Sequence, residues 1–108
     1  MISSNLKMKN PVTVTAVGVA AGAVATLPVS ATKFNYLYKV TGWSDATTLI
    51  TIASAGSASI EYTALADTPF DINFYGWYRT NAINTTITAT IATSAADCSI
   101  TIIGEPIN

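Results

Sequence analysis

The chain has 108 residues, which is room for one domain with one hydrophobic core. Only 10% of them are charged, against about 25% in ordinary soluble domains, so part of the surface is expected to be buried in a larger assembly. Five basic and six acidic residues give a net charge of −1, which excludes the basic footprint of a nucleic-acid-binding protein.

The N-terminal segment differs from the rest of the chain. It is polar and shows no alternation, so residues 1–10 are predicted to form a short arm and residues 11–108 a single domain. Lys7 and Lys9 of the arm precede a long apolar run, as in a signal peptide or a membrane helix. Threonines and glycines interrupt that run, so a strand–turn–strand is expected there and no membrane partner.

Six short segments alternate apolar and polar residues with period two, and the seventeen threonines of the chain are typical of β-structure. These segments are residues 12–16, 34–41, 59–63, 70–74, 86–91 and 99–102, and two shorter runs, residues 24–27 and 49–52, complete a set of about eight strands. In residues 34–41 the alternation predicts two opposite faces. One carries Phe34, Tyr36, Tyr38 and Val40, and the other carries Asn35, Lys39 and Thr41.

Turn residues separate these segments. Residues 42–45, 55–57 and 66–69 carry turn signals, and residues 95–97 are predicted to form the tip of a last hairpin. No segment shows a helical stripe with caps. Strands at this spacing predict an all-β domain, namely a single antiparallel β-sandwich or jelly roll of about eight strands with a short N-terminal arm.

Few residues in the chain could carry chemistry. Histidine is absent and Cys98 is the single cysteine, so no Ser–His–Asp site, Cys–His site or intrachain disulfide can form. Cys98 lies in an apolar strand pattern and is expected to be a small buried hydrophobe, and the lack of paired cysteines favours a reducing cytoplasm. Asp45, Asp67 and Asp97 lie in turn signals, and Glu61 and Asp71 lie on outward strand positions. We therefore expect no enzymatic activity, no cofactor and no metal site.

The densest aromatic cluster lies in residues 70–81. Period two directs Phe70, Ile72 and Phe74 inward and leaves the residues that follow at the end of the strand or in a loop. Aromatic residues and Arg are common interface anchors. The candidate interface residues are Lys7, Lys9, Trp43, Tyr75, Trp77, Tyr78, Arg79 and Asn81.

Two other interpretations of the aromatic residues remain open. Exposed Trp and Tyr near Asn and Asp would also suit a sugar-binding platform. Alternatively, Trp77 or Tyr78 closes the bottom of the sandwich and takes no part in binding, and Trp43 has the same ambiguity.

The order of several segments resembles that of the small jelly-roll cement or decoration proteins of tailed-bacteriophage capsids. The segments that carry the resemblance are Val24-Ala-Thr-Leu-Pro-Val29, Phe34-Asn-Tyr-Leu-Tyr-Lys-Val40, Leu49-Ile-Thr-Ile52, the strand at Phe70, the loop 76–81, and the strands 85–92 and 99–104. The chain departs from that family at Ser54-Ala-Gly-Ser57, where an Asp-Gly hairpin is common. It departs again at Gly76-Trp-Tyr-Arg79, where Pro-Leu-Arg-Gly is common.

The resemblance implies a structural virion protein on the capsid surface, made in the host cytoplasm. Its partners would be the major capsid protein and further copies of itself, commonly as a homotrimer. A second hypothesis is a carbohydrate- or receptor-binding module of a phage tail or fibre. An esterase or glycosidase would need a pair of carboxylates, and a pilin-like subunit would need a helix over residues 11–27.

Overall fold

All regular structure in the described part of the chain is β-strand. A computed structural model describes residues 10–92 and 97–107. The strands are β1 (Val12–Gly18), β2 (Ala23–Leu27), β3 (Phe34–Ser44), β4 (Thr48–Ala53), β5 (Ile60–Ala64), β6 (Phe70–Arg79), β7 (Ile87–Ile91) and β8 (Cys98–Ile107). The predicted all-β fold with about eight strands is confirmed. The described residues include no helix able to span a membrane.

The strands form two four-stranded antiparallel sheets. Sheet A has the order β1-β8-β3-β6 and sheet B the order β2-β7-β4-β5. Each strand is followed along the chain by a strand of the other sheet, except that β4 and β5 form a hairpin. This strand order is that of an eight-stranded jelly roll, in which two Greek keys are closed into a sandwich.

The connection between β7 and β8 differs from its prediction. β7 lies between β2 and β4 in sheet B, whereas β8 lies between β1 and β3 in sheet A. The two strands therefore cannot form the hairpin predicted with a tip at residues 95–97, although the last of those residues, Asp97, does lie in a connection. Residues 93–96 lie outside the described part. Turn chemistry looks the same in a hairpin and in a connection that crosses between sheets, so the sequence did not distinguish them.

The core lies between the two sheets and follows the predicted alternation in most strands. In β7, Ile87, Ala89 and Ile91 are fully or almost fully buried, while the two intervening threonines are half-buried on the other side. Cys98 is also buried among these residues, as expected. Burial of aliphatic side chains in two facing layers is the main stabilising contribution of such a sandwich.

β3 contradicts the predicted faces in its first half. The register of β3 shifts at Tyr38 against both of its neighbours, so the alternation reverses there. Asn35 and Leu37 consequently face the core, and Phe34 and Tyr36 are half-buried on the opposite side. A β-bulge adds one residue to one strand, and the sequence carries no period-two signal that marks the extra residue.

β3 is also longer than predicted. Residues 42–45 were predicted as a turn, but β3 continues to Ser44, and Trp43 pairs with Ser99 of β8. Gly42 is required there because a Cβ would collide with the Ser99 carbonyl and the Phe70 ring. The glycine therefore allows close approach of neighbouring groups within the sheet and does not mark a turn.

The connections gather at two opposite ends of the sandwich. At one end, Asp45 donates its backbone N–H to the Asp97 carbonyl (3.0 Å) and Asp67 donates to the Ser44 carbonyl (2.8 Å). At the other end, Asn84 donates to the Ser30 carbonyl (2.6 Å). These bonds hold the loops together and position the exposed side chains near each end.

Candidate functional site

The last part of β6 forms an unusual bulge. Asn73 pairs with Lys39 and Tyr78 pairs with Leu37, so the four residues 74–77 lie opposite the single residue Tyr38. We call residues 74–77 the β6 bulge. Irregular pairing of this kind re-aims side chains at the edge of a sheet.

The backbone of the β6 bulge is strained at Tyr75. Tyr75 and Gly76 have φ angles of 52° and 82°, which lie in the left-handed region. Glycine adopts this conformation freely, but a bulky tyrosine does so at a cost of about 1–3 kcal/mol. Tyr75 is 59% exposed, so burial of its side chain does not offset that cost. Strain of this type is concentrated at functional sites.

The ring of Trp77 packs against two other aromatic rings. Its ring lies 5.4 Å from that of the buried Phe74 and meets the Tyr78 ring edge-on at 6.2 Å. Trp77 is nevertheless 66% exposed. The β6 bulge thus exposes two large aromatic side chains, Tyr75 and Trp77, to solvent. Trp77 is held in place by its contacts with the rings of Phe74 and Tyr78.

Tyr78, Arg79 and Asn81 fit the predicted interface less well. β6 continues through Arg79, so Tyr75, Trp77, Tyr78 and Arg79 are strand residues, and the predicted loop begins only after them. Tyr78 is buried and its hydroxyl donates to the Ala58 carbonyl at 3.0 Å, so it cannot contact a partner. This is the alternative in which Tyr78 closes the sandwich, because its pairing with Leu37 turns it toward the core.

Arg79 and Asn81 are exposed, but the guanidinium of Arg79 is already engaged within the chain. It lies over the ring of Phe34 at 4.4 Å and donates to the Thr80 carbonyl at 3.1 Å. A cation over an aromatic face at a solvated position contributes about 0.5–1 kcal/mol. Asn81 follows β6 and lies beside Gly56 of the β4–β5 turn.

Trp43 belongs to a different place on the molecule. With Asp67 and Pro69 it lines an open pocket of about 220 Å³ at the end of the sandwich where the β3–β4 and β5–β6 connections lie. Asp67 has a φ of 56° and is held by the hydrogen bond of its N–H to the Ser44 carbonyl. From the sequence, Asp67 and Pro69 were predicted only as turn residues. Their proximity to Trp43 could not be predicted, because it depends on the pairing of β3 with β6.

The two aromatic places are far apart. Trp43 is five residues along β3 from Tyr38, which lies opposite the β6 bulge. At about 3.3 Å per residue the separation along the strand is about 17 Å. The structure therefore brings Tyr75, Trp77 and Arg79 together on one half of β6 and leaves Trp43 alone. Lys7 and Lys9 lie outside the described residues.

One buried polar pair lies opposite the β6 bulge. Tyr38 and Glu105 are both buried, and the Glu105 carboxylate accepts the backbone N–H of Asn10 at 2.9 Å. Burial raises the pKa of Tyr38 above its usual value, and the negative charge of Glu105 raises that pKa further. No signal in the sequence marks this pair, since its burial depends on the bulge in β3.

Within residues 10–92 and 97–107, no group of three or more carboxylate or thiol side chains is placed to hold a metal ion. Glu105 is buried, and the exposed carboxylate of Asp71 is paired with Lys39 at 3.3 Å. The exposed aromatic features are the β6 bulge and the pocket at Trp43, whose lining includes Asp67.

Comparison with known proteins yields little. No protein-family model matches the chain, and no curated protein matches it. Among solved structures the chain is similar to a ruminal GH26 endo-β-1,4-mannanase, with 19% sequence identity and a TM-score of 0.44. That similarity covers 83% of this chain and 19% of the mannanase chain. At this level it supports no conclusion about function.

Proposed function

We propose that this chain is a structural virion protein that decorates and cements a bacteriophage capsid by binding neighbouring subunits of the major capsid protein. The observation that carries the proposal is the β6 bulge, where Tyr75 and Trp77 are exposed and the backbone at Tyr75 adopts a left-handed φ that costs free energy. Rigid exposed aromatic residues are the usual anchors of protein interfaces, because they bury a large area at a small entropic cost.

The fold and the composition also support this proposal. The jelly-roll order of the strands is common among viral capsid domains, although lectins share it. Eleven large apolar side chains are exposed among the described residues, whereas the whole chain has only eleven charged residues, so much of the described surface is suited to burial. A protein that binds only the assembled shell stabilises that shell by mass action.

The test is cosedimentation with shells assembled from the major capsid protein of the phage genome that encodes this chain. The wild-type chain should cosediment and raise the temperature at which the shells dissociate. The double variant Tyr75→Ala, Trp77→Ala should bind at least about tenfold more weakly, the equivalent of 1.4 kcal/mol or more.

The matched control is Tyr62→Ala, which removes an exposed aromatic side chain from β5 and should leave binding unchanged. A folded wild-type chain that does not bind shells would contradict the proposal. Equal loss of binding in the control would show that the β6 bulge is not the anchor.

A second candidate function is a carbohydrate-binding module, and the pocket at Trp43 favours it. A tryptophan ring beside a carboxylate and a proline offers a sugar both an apolar face and a hydrogen-bond acceptor. In that case Trp43→Ala should abolish binding on a glycan array, while Trp77→Ala should retain it. An array with no response to the wild-type chain would reject this candidate.

A further inference from the structure

The edges of the two sheets differ in their protection against further strand pairing. Among the described strands, β1 and β6 are the edges of sheet A, and β2 and β5 are the edges of sheet B. β1 lies against β2 on one side of the sandwich. On the other side β5 lies near β6, as the 6.1 Å separation of the Tyr62 and Phe70 rings shows.

The β5/β6 side is protected. β5 carries the exposed Glu61, and β6 carries Asp71 and Arg79. The β6 bulge also interrupts the regular backbone along that edge. Charged side chains and bulges are the usual means by which sheet edges avoid pairing with another chain.

The β1/β2 side lacks such protection. The seven residues of β1 and the five of β2 include no charged residue and no proline, and both strands pair with their inner neighbours without a register shift. Every second residue of an edge strand directs its N–H and C=O away from its neighbour. No strand within the described ranges pairs with the outer edge of β1.

The core-facing side chains of β1 are incompletely covered. Val12, Val14 and Ala16 face the core but remain partly exposed, whereas the core-facing residues of β2 are buried. A further strand beside β1 would cover these side chains. The edge therefore offers both unpaired backbone groups and apolar surface to a partner.

We propose that two copies of this chain associate through antiparallel pairing of β1 with β1 about a two-fold axis at Thr15. Directly opposed residues of an antiparallel pair project to the same face of the sheet. With Thr15 opposite Thr15, core-facing Val14 lies opposite Ala16, and all seven residues overlap. A two-fold interface is self-complementary, and this edge has no charge that would repel its own copy.

The neighbouring strand extends this interface. Because β1 and β2 lie on the same side of the sandwich, the two-fold axis also brings β2 of each copy to the proposed interface. Val17, near the end of β1, and Val19, just after it, are 69% and 76% exposed. A standard interface buries about 800 Å² per partner, more than one strand edge provides, so β2 and these valines are part of the proposed interface.

This two-fold pair differs from the homotrimer that the resemblance implies, and it does not depend on the proposed role in a shell. It is tested by light scattering coupled to size exclusion, over about 1–100 μM protein. The wild-type chain should have the mass of a dimer. Thr15→Lys and Thr15→Glu should each be monomeric, since like charges would meet at the axis.

An equimolar mixture of the two variants should recover the dimer, because opposite charges then face each other. The matched control is Thr63→Lys on the edge strand β5, which should remain dimeric, and circular dichroism should show that every variant is folded. A monomeric or trimeric wild-type chain would overturn the proposal. A dimer that persists in Thr15→Lys, or a mixture that stays monomeric, would overturn it as well.

Discussion

Asn35 and Thr80 are joined by two hydrogen bonds in opposite directions. The backbone N–H of Asn35 donates to Thr80 Oγ1 at 3.0 Å, and the backbone N–H of Thr80 donates to the Asn35 carbonyl at 2.9 Å. Both residues are buried. Asn35 Nδ2 also donates to the Pro28 carbonyl at 2.8 Å and to the Thr85 carbonyl at 3.3 Å, so one side chain holds two connections against β3.

Asn35→Ala should lower the free energy of unfolding by about 1–3 kcal/mol, because it removes two hydrogen bonds from a buried side chain to carbonyls that are only partly buried. Thr80→Val should lower it by about 1–2 kcal/mol, since valine keeps the shape and removes the acceptor for the Asn35 N–H. The measurement is urea denaturation. Thr80→Ser, which keeps the hydroxyl, is the control and should lose less than Thr80→Val; the reverse order would contradict the role of this bond.

The two buried tyrosines should respond differently to loss of their hydroxyls. The Tyr78 hydroxyl donates to the Ala58 carbonyl, so Tyr78→Phe should cost about 1 kcal/mol. The Tyr38 hydroxyl is buried and has no hydrogen-bond partner among the described residues. Tyr38→Phe should therefore be neutral or slightly stabilising. Urea midpoints of the two variants measure this difference, and a larger loss for Tyr38→Phe would refute it.

Stability should fall as the pH rises above about 10, the usual tyrosine pKa. Burial raises the pKa of both Tyr38 and Tyr78 in the folded chain, and Glu105 adds to the shift of Tyr38. Between the unfolded and folded pKa values the unfolded chain loses a proton that the folded chain keeps, so unfolding becomes more favourable. The stabilisation is complete below pH 10 and decreases above it.

This pH effect is measured by thermal unfolding at pH 9 to 11.5. Tyr38→Phe should reduce the fall of the melting temperature with pH, because one of the two phenols responsible is removed. Tyr75→Phe removes a phenol from the surface and serves as the control. A wild-type melting temperature that does not change over this range would exclude the proposed linkage.

Gly104→Ala should destabilise the chain by about 1–3 kcal/mol through overpacking. A Cβ at this position would lie 2.5 Å from Leu27 Cδ1 and 2.6 Å from the Tyr36 carbonyl oxygen, and the backbone oxygen has little freedom to move. Ser99→Ala, on the half-buried outer face of the same strand β8, is the control and should change the urea midpoint little. Equal urea midpoints for Gly104→Ala and the wild-type chain would contradict the prediction, because they would show that Leu27 and Tyr36 move aside at no cost in stability.

Sequence alternation predicted most of this fold because most strands keep one face in the core. It identified β7 correctly, since Ile87, Ala89 and Ile91 are separated by single threonines. It failed where an extra residue enters the ladder, at Tyr38, because the period changes there without a compositional signal. Alternation does not specify which strands pair, so the opposite sheet positions of β7 and β8 could not be predicted.

The candidate site was predicted only in part for the same reason. Composition drew attention to Trp43, Tyr75 and Trp77, and all three are exposed. The partners of Trp43 in its pocket and the burial of Tyr78 both depend on how β3 and β6 pair, which is a long-range property. Local patterns therefore predict residue types at a site better than their arrangement.

The strand order also constrains how the chain folds during synthesis. β1, near the N-terminus, pairs with β8, the last strand, and β3 pairs with both β8 and β6. Among the described strands, only the β4–β5 hairpin pairs strands that are consecutive along the chain, so nearly all pairings close long loops. Such chains fold slowly, in about milliseconds to seconds. On the ribosome, sheet A cannot be completed until β8 emerges. Until then β1 remains without its partner, and the nascent chain is most prone to aggregate in this interval.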